Sequence, residues 1–296
     1  PTFKNGLHFG VTASVADDKT EVTKWTYNTK IPSYGATGWW DKSAYKEGMV
    51  LGDIWGLQFD RFLTEDDFNA DGSLKAGLPD QTKVFPAGYQ FAPGDVLYKD
   101  LDNNGEIVKQ TNTNDKGDLS VIGNALPRLQ FGLNLDAAWK GFDISMFFQG
   151  VAKRKLWAAG NQVLPGFTTG EPFYKGAEDY WTPENTDAFY PRPMDYKQSA
   201  SGNYSVNDRY LLNMAYLRLK TFTVGYSLPK VWLSKFKVQG LRVYFTGENL
   251  FTIDGVKPAI DPEIGIRTAS GKSDQRNFGR SYPYQKTVSF GIQLSL

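Results

Sequence analysis

Residues 288 to 296 alternate strictly, with apolar Val288, Phe290, Ile292, Leu294 and Leu296 set against small or polar Ser289, Gly291, Gln293 and Ser295. A period of two is that of an extended strand with one greasy and one polar face. The same alternation runs through Leu129, Phe131, Leu133, Leu135, Ala137 and Trp139, and after Lys140 and Gly141 it restarts with Phe142, Ile144, Met146 and Phe148. That spacing predicts a hairpin with a two-residue turn. Near the start, Leu7, Phe9, Val11, Ala13 and Val15 face away from His8, Gly10, Thr12 and Ser14, and further strands are expected near 51 to 62, 211 to 227 and 239 to 252. Several of these segments are long for a soluble sheet but match the roughly 9 to 11 tilted residues that cross a bilayer. The expected fold is all-β: a transmembrane antiparallel β-barrel segment whose lipid-facing and lumen-facing residues alternate. A half-buried soluble sheet has the same period and stays open as the alternative.

Long connections separate the strands, near 62 to 93, 155 to 205 and 252 to 283. They carry Pro, Gly and many aromatics, which suits functional loops better than linkers. The connection from Leu228 to Gly240 is short, with room for one helical turn. Long loops at one barrel end and short turns at the other are the expected asymmetry.

Composition narrows the chemistry. Aromatics make up 15% of the 296 residues, and Trp139, Phe142, Tyr226 and Tyr284 fall near strand ends, where such rings suit a membrane-water girdle. No apolar run approaches eighteen residues, which excludes a transmembrane helix and leaves a barrel untouched. With 33 basic and 32 acidic residues there is no electrostatic footprint for nucleic acid. Cysteine is absent and His8 is the single histidine, so thiol catalysis, a His-based triad and a Cys- or His-rich metal site are all disfavoured.

Two acidic stretches have the form of half a calcium loop. Asp100, Asp102 and Asn104, followed by Gly105 and Glu106, place alternate oxygen ligands before a turn-permitting glycine. Position twelve would be Thr111, so Asp115 or Asp118 would have to supply the late carboxylate for Ca²⁺. Asp67, Asn69, Asp71 and Gly72 repeat the half-motif, and plain Asx turns account for either stretch equally. In the aromatic loop, Trp157, Tyr174, Tyr180 and Trp181 are candidates for contact with cargo or a partner, or for packing the loop. Arg218 and Lys220 are expected to face the lumen or to pair with acids, since a lipid-facing charge costs about 2 to 4 kcal/mol. The competing class is a secreted, soluble glycan-binding protein or glycosidase, for which Glu248 with Asp261 or Glu263 are nominal carboxylates.

Five stretches, in order, resemble one family: GDVLYKDLDNNGEI (94 to 107), VIGNALPRLQFGLNLDAAWKGFDISMFFQG (121 to 150), AYLRLKTFTVGYSLP (215 to 229), LRVYFTGENLFT (241 to 252) and IDPEIG (260 to 265). Together they resemble the C-terminal part of SusC/RagA-like TonB-dependent transporters, over nearly the whole chain. The resemblance implies a bacterial outer-membrane protein with a barrel of about 22 strands, and a non-enzymatic importer of oligosaccharides or peptides. It implies three partners: outer-membrane lipid, a SusD-like surface lipoprotein acting as a lid, and the TonB complex, reached through an N-terminal plug. Residues 1 to 296 are expected to be the C-terminal part of that barrel, with plug and earlier strands outside this chain; the start at Pro1, without a signal peptide, and roughly seven to nine strand candidates fit that expectation.

Overall fold

A computed structural model describes residues 2–25, 47–109, 116–158, 160, 162–167, 173–194, 202–234, 238–257, 260–263 and 282–296. Six long strands form one antiparallel sheet: β1 (His8–Ala16), β6 (Arg128–Trp139), β7 (Phe142–Lys153), β10 (Tyr216–Ser227), β11 (Gly240–Asp254) and β12 (Thr287–Ser295), in that spatial order. Six short strands lie between them in sequence: β2 (Asp53–Gly56), β3 (Phe59–Phe62), β4 (Val96–Tyr98), β5 (Ser120–Asn124), β8 (Lys155–Leu156) and β9 (Leu212–Asn213). They pair two by two as β2 with β5, β3 with β4 and β8 with β9. No helix among the described residues is long and apolar enough to cross a membrane.

Register turns the alternation of single strands into continuous faces. Phe9, Ala137, Ile144, Val224, Phe245 and Phe290 are successive cross-strand partners and make one apolar row across all six strands. The adjacent row, Gly10, Asp136, Ser145, Thr223, Thr246 and Ser289, is polar or small. Within it the Ser145 hydroxyl donates to Asp136 at 2.8 Å, and the hydroxyls of Thr223 and Thr246 lie 3.2 Å apart. Val11, Val15, Phe290, Ile292 and Leu294 remain exposed on the apolar face. A broad exposed face of this kind needs an apolar solvent, and lipid supplies one.

The predicted hairpin forms, with Lys140 (φ 48°) and Gly141 (φ 89°) both left-handed as a type I′ turn requires. Position 140 holds lysine where asparagine or glycine is usual, so Gly141 carries the conformational ease of the pair.

One strand departs from strict alternation. Leu219 pairs with Phe148 and Phe251, whereas Thr221 pairs with Phe147 and Glu248, so Lys220 is an extra residue against β7 and faces both Asn249 and Leu250 on β11. Asn249 takes φ 51°, a conformation that asparagine tolerates better than most residues. The bulge shifts the apolar phase from Leu217 and Leu219 to Phe222, Val224 and Tyr226, which no unbroken strand could put on one face.

All three long connections, 17–127, 154–215 and 255–286, leave the sheet at one end, and the turns at 140–141 and 228–239 close the other. The expected single strand at 51 to 62 is instead two short strands in separate sheets, and 211 to 227 divides into β9 and β10. The first two long connections fold together over two apolar clusters, one around Trp157, Tyr204 and Tyr210, the other around Tyr98, Phe85 and Trp181. Residues that read as loop in sequence therefore form a packed cap.

Candidate functional site

The cap is fastened by one buried carboxylate. Asp95 is fully buried and accepts from the Tyr89 hydroxyl (2.8 Å), the Ala92 amide (2.9 Å), Arg192 Nε (2.8 Å) and Asn203 Nδ2 (3.0 Å). Four donors from three chain segments offset the cost of burying its charge. Beside it, Gly94 holds φ 89°, and a Cβ there would meet the Trp181 ring at 2.5 Å. The Gly-Asp pair at 94 and 95 thus serves close packing and loop fastening at once.

Of the four aromatic candidates, two are core residues. Trp157 and Trp181 are 2% and 7% exposed and belong to the two clusters, where they take the loop-packing role, one of the two expected for them. Tyr174 and Tyr180, at 38% and 41% exposed, line a cavity of about 600 Å³. Pro165, Phe173, Pro191, Met194 and Tyr204 complete much of its apolar wall, with Lys175, Glu178 and Arg192 as its charged groups. Burial pushes the phenol of Tyr190, another wall residue, up to about 12, and nearby Asp179 adds to the shift. Alternation in the sequence could not tell which of these rings turn inward.

A second cluster sits where the sheet meets the loops. Arg218 donates to Asp261 at 2.8 Å and to Thr252 at 2.7 Å, and Lys220 reaches Glu263 at 2.7 Å. Arg218 Nη1 lies 3.1 Å from Glu263 Oε1 but is not aligned for a hydrogen bond. Burial would raise the Asp261 carboxyl; the Arg218 guanidinium and the amides of Glu263 and Tyr284 outweigh it and hold it below the usual range. Both cations lie under Tyr284, with Lys220 Nζ 4.7 Å from the ring centroid. Arg218 and Lys220 thus pair with acids, and Asp261 and Glu263, the nominal carboxylates of the glycosidase alternative, are committed to those ion pairs. The Asp-Pro-Glu stretch is a pin that ties the third long connection to β10.

The first acidic loop converges in part. Oxygens of Asp100, Asp102 and Asp118 lie within 4.8 Å of one another, about twice a Ca²⁺ to oxygen distance. Asp118 is buried and accepts from the amides of Leu101 and Val108, both at 2.8 Å. Asp100 accepts from Gly105 N at 2.8 Å, and such amide donors outweigh burial to keep its carboxyl below the usual range. Glu106 does not join them, because its carboxylate pairs with Lys83, and the Asn104 carbonyl accepts from the Glu106 amide. Thr111 and Asp115 lie outside the described residues. The second half-motif is a set of turns: Asp67 makes a bidentate pair with Arg61, and Asp71 accepts from Ser73.

No family model matches the chain. It is 29% identical over 258 residues to TonB-dependent receptor P3 of Formosa agariphila, across 84% of this chain and 22% of that protein. It is 25% identical over 242 residues to TonB-dependent receptor SusC of Bacteroides thetaiotaomicron, across 78% of this chain and 22% of that protein. A solved structure of the RagAB peptide transporter aligns with 99% of the chain and 27% of its own, at a TM-score of 0.63 and 19% identity, a likeness of fold. The chain spans about a fifth of the length of these curated relatives. None of the three is described as an enzyme.

Proposed function

We propose that the chain is a segment of a SusC/RagA-like TonB-dependent transporter and builds part of the barrel wall and cap of an outer-membrane importer of oligomeric nutrients, working with a SusD-like lipoprotein lid and driven through TonB. The observation that carries this is the six-stranded register, with unbroken apolar rows on one face, polar rows on the other, and every long connection at one end. A lipid-facing exterior and a polar interior let hydrated cargo pass, while the end bearing the long loops is placed to meet cargo and lid. Oligosaccharide and peptide are both cargo classes for such a machine. Calcium at Asp100, Asp102 and Asp118 is a separate proposal, supported by the convergence of their carboxylates.

Crosslinking tests the assignment of ends. Cysteines placed at exposed Phe173 and Tyr180, in a chain without native cysteine, should capture a surface lipoprotein in native membranes. Cysteine at Trp232, beside the short turn at the opposite end, should not. Capture from Trp232 alone would reverse the proposed orientation.

A further inference from the structure

Resting on the barrel reading above, we propose that the short-turn end of the sheet carries a binding site for an anionic glycerophospholipid, with the Lys140 ammonium on the headgroup phosphate and part of one acyl chain in a notch over Ala137. The notch follows from the register. In the apolar row Phe9, Ala137, Ile144, Val224, Phe245 and Phe290, Ala137 is the one small residue. The dip it leaves has a volume of about 130 Å³ and is bounded by Leu7, Trp139, Phe142, Ile144 and Val224. Sites that enclose a whole small ligand run from roughly 300 to 1,000 Å³, so this one suits a length of hydrocarbon. Trp139 and Phe142, 45% and 58% exposed, stand on its turn side, where the aromatic girdle of a barrel meets the headgroups.

Charge at this end selects the headgroup. Lys140 Nζ lies 4.5 Å from the centroid of the Trp139 ring, which sets the ammonium beside the notch. It makes no ion pair among the described residues. Asp143, three residues on, is on the opposite face of the sheet and is held by Arg242 Nε at 3.0 Å. The segments at the short-turn end, 1–7, 140–141 and 228–239, contain Lys4, Lys140, Lys230, Lys235 and Lys237 and neither Asp nor Glu; Lys235 and Lys237 lie outside the described residues. The Ser227 amide donates to the Gly141 carbonyl at 2.8 Å, which joins the two short turns. Val231 and Trp232, 78% and 60% exposed, give the second turn the character of a membrane interface. Lysines at such an interface attract anionic lipid. A zwitterionic lipid offers the same phosphate but brings its own cation, so a lysine rim without side-chain carboxylates favours a headgroup of net negative charge.

The test uses the full-length transporter in detergent micelles. Native mass spectrometry measures its binding of phosphatidylglycerol and of phosphatidylcholine with the same acyl chains, for the wild type, for Lys140→Asn and for Ala137→Phe. Asparagine removes the charge yet suits the left-handed turn at position 140 (φ 48°), and phenylalanine fills the notch from the lipid side; Ala137→Leu stands in for it if the larger ring prevents folding. The wild type should bind phosphatidylglycerol about tenfold more tightly than phosphatidylcholine, and each variant should weaken phosphatidylglycerol by about fivefold. Lys140→Arg, which keeps the charge, should bind as the wild type does. Equal binding of the two lipids by the wild type, or unchanged phosphatidylglycerol binding in either the charge-removing or the notch-filling variant, overturns the proposal. Heat-dependent gel mobility and TonB-dependent uptake separate this result from the barrel reading. A folded barrel that supports uptake without lipid selectivity rejects the lipid site alone, and a wild-type protein that is monodisperse without detergent and supports no uptake rejects the barrel itself.

Discussion

Placing an arginine on either side of β12 measures which face meets lipid. Phe290 is 83% exposed on the apolar face near the middle of the strand, paired with Phe245 at a ring-centroid distance of 5.2 Å. Ser289, its neighbour, pairs with Thr246 in the polar row. An arginine near the bilayer midplane costs about 2 to 4 kcal/mol, and losing the aromatic pair adds about 0.5 to 1.5 kcal/mol. Phe290→Arg should therefore destabilise the folded barrel by roughly 3 to 5 kcal/mol, while Ser289→Arg, reaching toward water, should stay within about 1 kcal/mol. Even 2 kcal/mol is about 30-fold in the folding equilibrium. The assay is the folded fraction in outer membranes, read by heat-dependent gel mobility and protease resistance of the full-length protein. Equal losses for the two variants, or a larger loss for Ser289→Arg, would refute the assignment of faces.

Removing the cation from the loop pin by Arg218→Met leaves the nearly buried Asp261 and Glu263 short of positive charge, and should cost about 3 to 5 kcal/mol, with earlier protease cleavage after β11; unchanged cleavage would show that the pin bears no load. For Asp67 the Arg61 guanidinium, acting against burial, lowers the carboxyl to about 2 from about 3.9 in the unfolded chain. Its stabilisation is therefore complete above about pH 4 and lost as pH falls through about 2. The acid limb of a thermal-midpoint profile should flatten in Asp67→Asn, and an identical limb would remove the assignment. Millimolar calcium should raise the thermal midpoint of the wild type and leave an Asp100→Ala, Asp102→Ala double variant unmoved; elemental analysis showing no bound calcium would reject the metal.

Much of the sheet was legible because a strand's faces depend only on its own period. Residues 128 to 139 and 142 to 150 announced both strands and the turn between them, and 288 to 296 announced the last strand. The bulge at Lys220 was also written in the chain, as the shift from Leu217 and Leu219 to Phe222 and Val224, although a strand read in isolation gives no partner against which to count the extra residue. The family resemblance likewise rested on residues that the fold puts to structural use: Asn249 in its left-handed conformation, Gly94 under Trp181, and Asp261 on Arg218.

The sequence by itself determined the long strands β1, β6, β7 and β12, their faces and the membrane-compatible period, because those follow from local alternation. Only the tertiary structure decided that Trp157 and Trp181 are buried while Tyr174 and Tyr180 line a cavity, that Asp118 rather than Glu106 approaches Asp100 and Asp102, and that Asp95 ties Tyr89, Arg192 and Asn203 together. Each of these depends on contacts between residues far apart in the chain, where aromatic and acidic side chains have no period to reveal which neighbour they will meet.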